Sequence, residues 1–172
     1  MEYVVIDLET TGFSPTQDAI VEIGALKICN GSIDETDIFH SLVNPKQPIP
    51  YHASKVHGIF DRDVRHAPVI RDILPKLLDF VGTRPVVAHN ATFDIRFIQE
   101  NASRLGLSWT PDCICTLQLS KQHFPEAKSH RLAELAKRLR LDIHPEHRSL
   151  ADARTTAMAF MELIKKVSTI DV

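Results

Sequence analysis

A chain of 172 residues, 44% hydrophobic and 24% charged, suits one domain over residues 1–172 with a sizeable core. It has no apolar run long enough to span a membrane, and its formal net charge of −2 excludes a protein that coats duplex DNA by electrostatics alone. Cys29, Cys113 and Cys115 lack the second Cys pair of a zinc site; with no signal peptide ahead of the first strand, three cysteines predict reduced thiols in the cytoplasm.

The first element is a buried strand, predicted by the β-branched run Val4-Val5-Ile6. Asp7 and Glu9 follow with one residue between them. Strand side chains alternate faces, so the two carboxylates project from one side. Close carboxylates repel, and burial adds a desolvation cost that a cation relieves. Oxygen ligands favour magnesium or manganese over zinc. Two solvated acids at a polar strand end are the plain alternative. Thr10-Thr11-Gly12 ends the strand.

A long strand over Ile20–Cys29 comes next, then Asn30-Gly31, a strong hairpin signal. The returning strand is expected over Thr36–Val43. Pro45, Pro48 and Pro50 break the ladder. A short helix over His52–His57 stops at Gly58. Ile70, Ile73, Leu74, Leu77, Leu78 and Val81 have helical spacing, with Pro75 either kinking the helix or in its first turn.

Pro85–His89 is another buried strand, followed by a helix from about Phe93 to Leu105. Asn90 or Thr92 is a candidate cap, and Asp94 falls in the first turn, where a carboxylate suits the helix dipole. That dipole role alone does not explain a third acid beside a second buried strand end, the place where sites form in open α/β sheets. Ile114–Leu119 reads as a strand running into a helix. Leu132–Leu139 and Leu150–Ile164 complete the helices. Ser149 resembles an N-cap with Asp152 as its capping-box partner, and His147 precedes them in a loop. A hairpin followed by alternating strands and helices implies an α/β fold, a mixed sheet flanked by helices.

Charge is uneven along the chain. Residues 1–90 carry 8 basic and 12 acidic side chains, and residues 91–172 carry 12 and 10. Lys137, Arg138 and Arg140, with Lys128 and Arg131 upstream, read as a solvated helix face or as an edge that tracks phosphates.

Asp7-x-Glu9, Asp94 and His147-x4-Asp152 together resemble the three motifs of the DEDDh 3′→5′ exonucleases. The likeness covers roughly residues 1–165. It is greatest to the proofreading epsilon subunit of bacterial DNA polymerase III and polymerase exonuclease domains of that type, through residues 7–12, Val56-His57-Gly58-Ile59 and His89-Asn90-Ala91-x-Phe93-Asp94. The sister group with Tyr four residues before the last Asp is disfavoured, because Arg148 stands there. Thr10 stands where oligoribonucleases usually carry Met. Residues 165–172 carry no motif resembling the epsilon subunit's clamp-binding tail.

The resemblance implies a ribonuclease H-like fold with a mixed five-stranded sheet. It also implies hydrolysis with two divalent ions, Mg2+ or Mn2+. On that pattern Asp7 bridges both ions, Glu9 and Asp152 hold the one carrying the attacking water, and Asp94 supports the other through water. His147 is the general base, as an imidazole titrating ordinarily near about 6.5 allows. Thr10, Val56, His57 and Phe93 resemble the family's contacts to the 3′-terminal nucleotide. The implied partners are a single-stranded DNA 3′ end and a DNA polymerase subunit. The alternatives are RNA trimming, as in ribonuclease T, and a non-catalytic nucleic-acid-binding subunit, which would not need the four acids and the His.

Overall fold

The computed structural model describes residues 2–142 and 147–168, the side chains of 166–168 excepted. The strands are β1 (Glu2–Thr10), β2 (Ile20–Cys29), β3 (Ser32–Leu42), β4 (Val86–Ala88) and β5 (Cys113–Cys115). They form one mixed sheet in the order β3-β2-β1-β4-β5. The β1–β2 and β2–β3 pairs are antiparallel, whereas β1–β4 and β4–β5 are parallel. Asn30 (φ 52°) and Gly31 (φ 79°) both turn left-handed, as a tight hairpin requires. That turn starts β3 at Ser32, four residues before the expected Thr36. Polar Asp34-Glu35-Thr36 hid the start: β3 is an edge strand, where no apolar alternation is needed.

The helices are α1 (Tyr51–His57), α2 (Asp61–Val64), α3 (Ile70–Val81), α4 (Thr92–Arg104), α5 (Thr116–His123), α6 (Leu132–Leu139) and α7 (Ser149–Ser168). Gly58, at φ 71°, stops α1 by giving its N–H to the Ser54 carbonyl. The four-residue α2 escaped the sequence reading because so short a helix shows no periodicity. Pro75 is the sixth residue of α3, past the first turn. It lies on the exposed face, and Arg71, whose carbonyl loses its helix donor to the proline, is exposed too. No described helix is long and apolar enough to cross a membrane.

Alternation along β1 divides the core. Val4, Ile6 and Leu8 pack against α3 and α4 through Leu74, Leu77, Phe97 and Ile98. Val5 faces the other way, with Leu26 and Val87, against Ala153, Ala157 and Phe160 of α7. Each fully buried Ile, Leu or Phe contributes about 1.5–3 kcal/mol through apolar burial, so both layers are firmly held. The small Ala153 and Ala157 let α7 lie close to the sheet. Asp7 and Glu9 continue the Val5 face, so the packing that seats α7 also brings its first turn to the two acids.

Candidate active site

Asp7, Glu9 and Asp152 come together at the open end of β1. One carboxylate oxygen of each lies within 4.8 Å of the others. Asp94 enters from the first turn of α4 and accepts the Leu8 N–H at 3.1 Å. It is 4% exposed and Asp152 7%. Burial raises the Asp7 pKa well above the usual carboxylate range, and the charges of Asp94, Asp152 and Glu9 raise it further. Burial, then Asp152 and Glu22, push Glu9 up to about 8. Burial also pushes Asp94 up to about 8, although the N–H groups of Asp94 and Leu8 oppose it. Asp7, Glu9 and Asp94 have no salt bridge to Lys or Arg among the described residues. An all-oxygen cluster that repels itself and is shielded from water fits hard divalent cations.

The start of α7 is held by a residue that the sequence reading passed over. Glu22 stands opposite Glu9 on β2, a like-charge pair that would be destabilising alone. Its carboxylate is fully buried and accepts the Arg148 guanidinium Nε at 3.1 Å to both oxygens. It also accepts the Ser149 N–H at 2.9 Å, and His40 Nε2 lies 2.9 Å away. Burial alone would raise the Glu22 pKa; the bonds from Arg148, His40 and Ser149 hold it down to about 2. The expected capping box is absent, because Ser149 gives its N–H to Glu22 and its buried hydroxyl has no partner. The helix is capped from β2, 127 residues away in sequence. Gly24, opposite Asp7, makes the approach possible: a Cβ there would lie 2.4 Å from the Leu150 nitrogen.

His147 lies just before this anchored start, exposed, at φ 51°. It borders the same groove as Asp152. The side-chain cap expected from Asn90 or Thr92 is also absent. Asn90 turns left-handed (φ 62°) and its carbonyl accepts the Phe93 N–H, while Thr92 is already helical. His57 is buried and its Nδ1 accepts the Ile59 N–H at 3.0 Å. Its Nε2 makes no hydrogen bond. Burial lowers the His57 pKa, opposed by the backbone of Thr10 beside it. Val56 is exposed. Phe93 is partly core, with its ring centroid 4.9 Å from that of Phe97.

Phe13 was missed in the sequence. It is 85% exposed and lies edge-on to Phe93 at 6.4 Å. The signal was present: a lone Phe directly after the Thr10–Gly12 turn. Asp18 fastens that turn, bonding the Ser14 N–H at 2.8 Å.

A family model described as an exonuclease, RNase T, matches residues 4–160. The DNA polymerase III PolC-type protein of Caldanaerobacter subterraneus subsp. tengcongensis is 40% identical over 171 residues, covering 99% of this chain and 12% of that protein. A DNA polymerase III subunit epsilon-like protein of Rhodobacter capsulatus is 38% identical over 167 residues, covering 95% of this chain and 24% of that protein. The chain therefore spans a quarter or less of these relatives. Exonuclease X in complex with 5′ overhanging duplex DNA superposes with a TM-score of 0.79 at 29% identity, over 95% of this chain and 92% of that one. A structure of exonuclease I superposes at 0.84 with 18% identity, over 96% of this chain and 41% of that one. The ribonuclease H-like fold expected from the sequence is the fold these neighbours share.

Proposed function

The chain belongs to the exonuclease family, and from that premise we propose that it acts as one domain that removes nucleoside monophosphates from a DNA 3′ end, single-stranded or frayed, by two-metal hydrolysis. The observation that carries this reading is the convergence of Asp7, Glu9 and Asp152 on one point, with buried Asp94 beside them and no salt bridge from Asp7, Glu9 or Asp94 to Lys or Arg among the described residues. The relatives named above are a DNA polymerase III PolC-type protein and a DNA polymerase III subunit epsilon-like protein, which supports DNA as substrate and a polymerase as working partner.

Asp7, Glu9 and Asp152 would hold the divalent cations with support from Asp94, and bound magnesium or manganese would neutralise the scissile phosphate and activate water. The Leu8 N–H orients Asp94 toward that centre. Glu22 and Arg148 fix the backbone between His147 and Asp152. His147, exposed at the rim, takes the proton of the attacking water. The terminal nucleoside sits against Thr10, Val56 and His57. Its base stacks on Phe93 and Phe13, a contact that needs no particular base.

Polarity tests this. A single strand labelled at its 5′ end should shorten stepwise from the 3′ end, while a circular strand or one ending in a 3′-phosphate should resist. Cutting of circles, or loss of the 5′ label as the first product, would overturn the reading. A matched RNA strand belongs in the same assay; faster loss of RNA would move the substrate from DNA to RNA.

A further inference from the structure

Beside the acid cluster runs a groove of about 990 Å3, bounded by α5, the segment 128–131 and the start of α6. Asp152, His147 and Asn90 are among its lining residues, so it reaches the cluster at Asp152. Lys121, Lys128 and Arg131 line it as well, beside apolar Leu117, Leu132 and Ala133. All three cations are exposed, and none of their side chains has an ion pair or hydrogen bond among the described residues. Several other cations of the second half are engaged: Arg104 with Glu100, Lys137 with Glu134, Arg148 with Glu22, Arg154 with Glu35 and Lys165 with Glu162; Arg96 and Arg140 are exposed but do not line this groove. Arg138 bonds the Ser129 carbonyl at 3.0 Å and lies over the Phe124 ring. Of the basic residues clustered in the sequence, then, Lys128 and Arg131 are the ones left facing this groove, joined by Lys121 from α5. Glu134 also lines it, but its carboxylate is taken by Lys137.

The wall that carries these cations is anchored. His89, at the exit of β4, places Nδ1 2.9 Å from the Thr116 hydroxyl of α5. His130 Nδ1 lies 2.9 Å from the Ser120 hydroxyl. The segment between Lys128 and Arg131 is thus tied to α5, and α5 in turn to the residue that follows the strand leading into the active site. Three uncommitted positive charges on a fixed wall, in a chain of net charge −2, suit a row of phosphates rather than a neutral ligand.

We infer that this groove is the track for the single strand 5′ to the scissile bond, with Lys121, Lys128 and Arg131 taking successive backbone phosphates. The inference rests on the exonuclease reading above and adds to it where the rest of the strand lies.

The test compares two substrates in wild type and in the triple variant Lys121→Gln, Lys128→Gln, Arg131→Gln, with magnesium, over a range of KCl. A thymidine dinucleotide has no phosphate 5′ to the scissile one; a 12-residue oligothymidylate has many. The variant should hydrolyse the dinucleotide as wild type does. On the 12-mer, its kcat/KM should fall on the order of tenfold or more, through KM. Its log–log salt slope should shrink by about 2, three contacts at about 0.7 each. An unchanged 12-mer rate, or equal losses on both substrates, would overturn the track while leaving the exonuclease reading standing. Failure of wild type on both substrates would instead overturn that reading and the track with it.

Discussion

Asp7→Asn is expected to abolish hydrolysis and, in metal-free buffer at pH 8, to raise the melting temperature. Asp7 is where the repulsion of Asp94, Asp152 and Glu9 converges, and burial disfavours its charge before any of them acts. Glu9 and Asp94 are pushed up to about 8 in the same cluster. Raised carboxylate pKa values mean that the folded, metal-free protein holds protons that the unfolded chain has released. Stability is therefore full below the ordinary carboxylate range near pH 4 and is lost as pH rises toward 8. Glu22, held down to about 2, adds nothing to that slope, because its contribution changes only below the ordinary range.

The asparagine removes one of the charges and eases the others, so the decline should be shallower. For a chain of this length each kcal/mol relieved raises Tm by about 2–4 °C. Saturating magnesium should reverse the order, since ligand that binds only the native wild-type site stabilises it. Thermal melts across pH 5–8, with and without magnesium, beside a strand-degradation assay, read all of this. A variant that is less stable in metal-free buffer, or that keeps its activity, would show that Asp7 is not the centre of the cluster.

His147 and Asp152 should separate cleanly. His147→Ala leaves all four carboxylates in place, so manganese affinity measured by calorimetry should change little. Turnover should fall by roughly 10²–10⁴, the usual worth of a general base. Because His147 sits at φ 51°, where alanine is strained, His147→Asn is the better companion: asparagine tolerates that backbone and supplies no base. Asp152→Asn removes a charge from the cluster itself, so metal binding should weaken along with turnover. The start of α7 should survive the change, because Glu22 bonds the Ser149 N–H from β2. Near-full turnover in both His147 variants would remove it from the chemistry. Lost metal binding in His147→Ala with normal binding in Asp152→Asn would mean the two roles are exchanged.

Much of this was legible in the sequence because it is local. Alternation along Val4–Glu9 put both acids on one face, and the hairpin signal at Asn30-Gly31 set β2 against β3. Asp94 was legible only as a first-turn acid. Its bond to the Leu8 N–H spans 86 residues, and no local pattern carries it. The start of α7 misled for the same reason. Ser149 and Asp152 have capping-box spacing, yet a buried Glu22 competes for the same N–H and wins, because a charged acceptor inside the sheet gains more from that donor. Glu22 itself reads as one acid in the run Ile20-Val21-Glu22-Ile23. Only the pairing of β1 with β2 shows that it faces the site. Basic composition raised the phosphate-tracking edge without saying which cations face a groove; that follows from which ones found partners in the fold and which line the cleft beside the acids.

The most direct measurement is degradation of a labelled single strand after exhaustive chelation and again after magnesium or manganese is added back. Hydrolysis should vanish with chelation and return with either ion, since four buried or half-buried acids at one strand end have little use without a cation. Undiminished hydrolysis in the chelated protein would contradict the metal site outright.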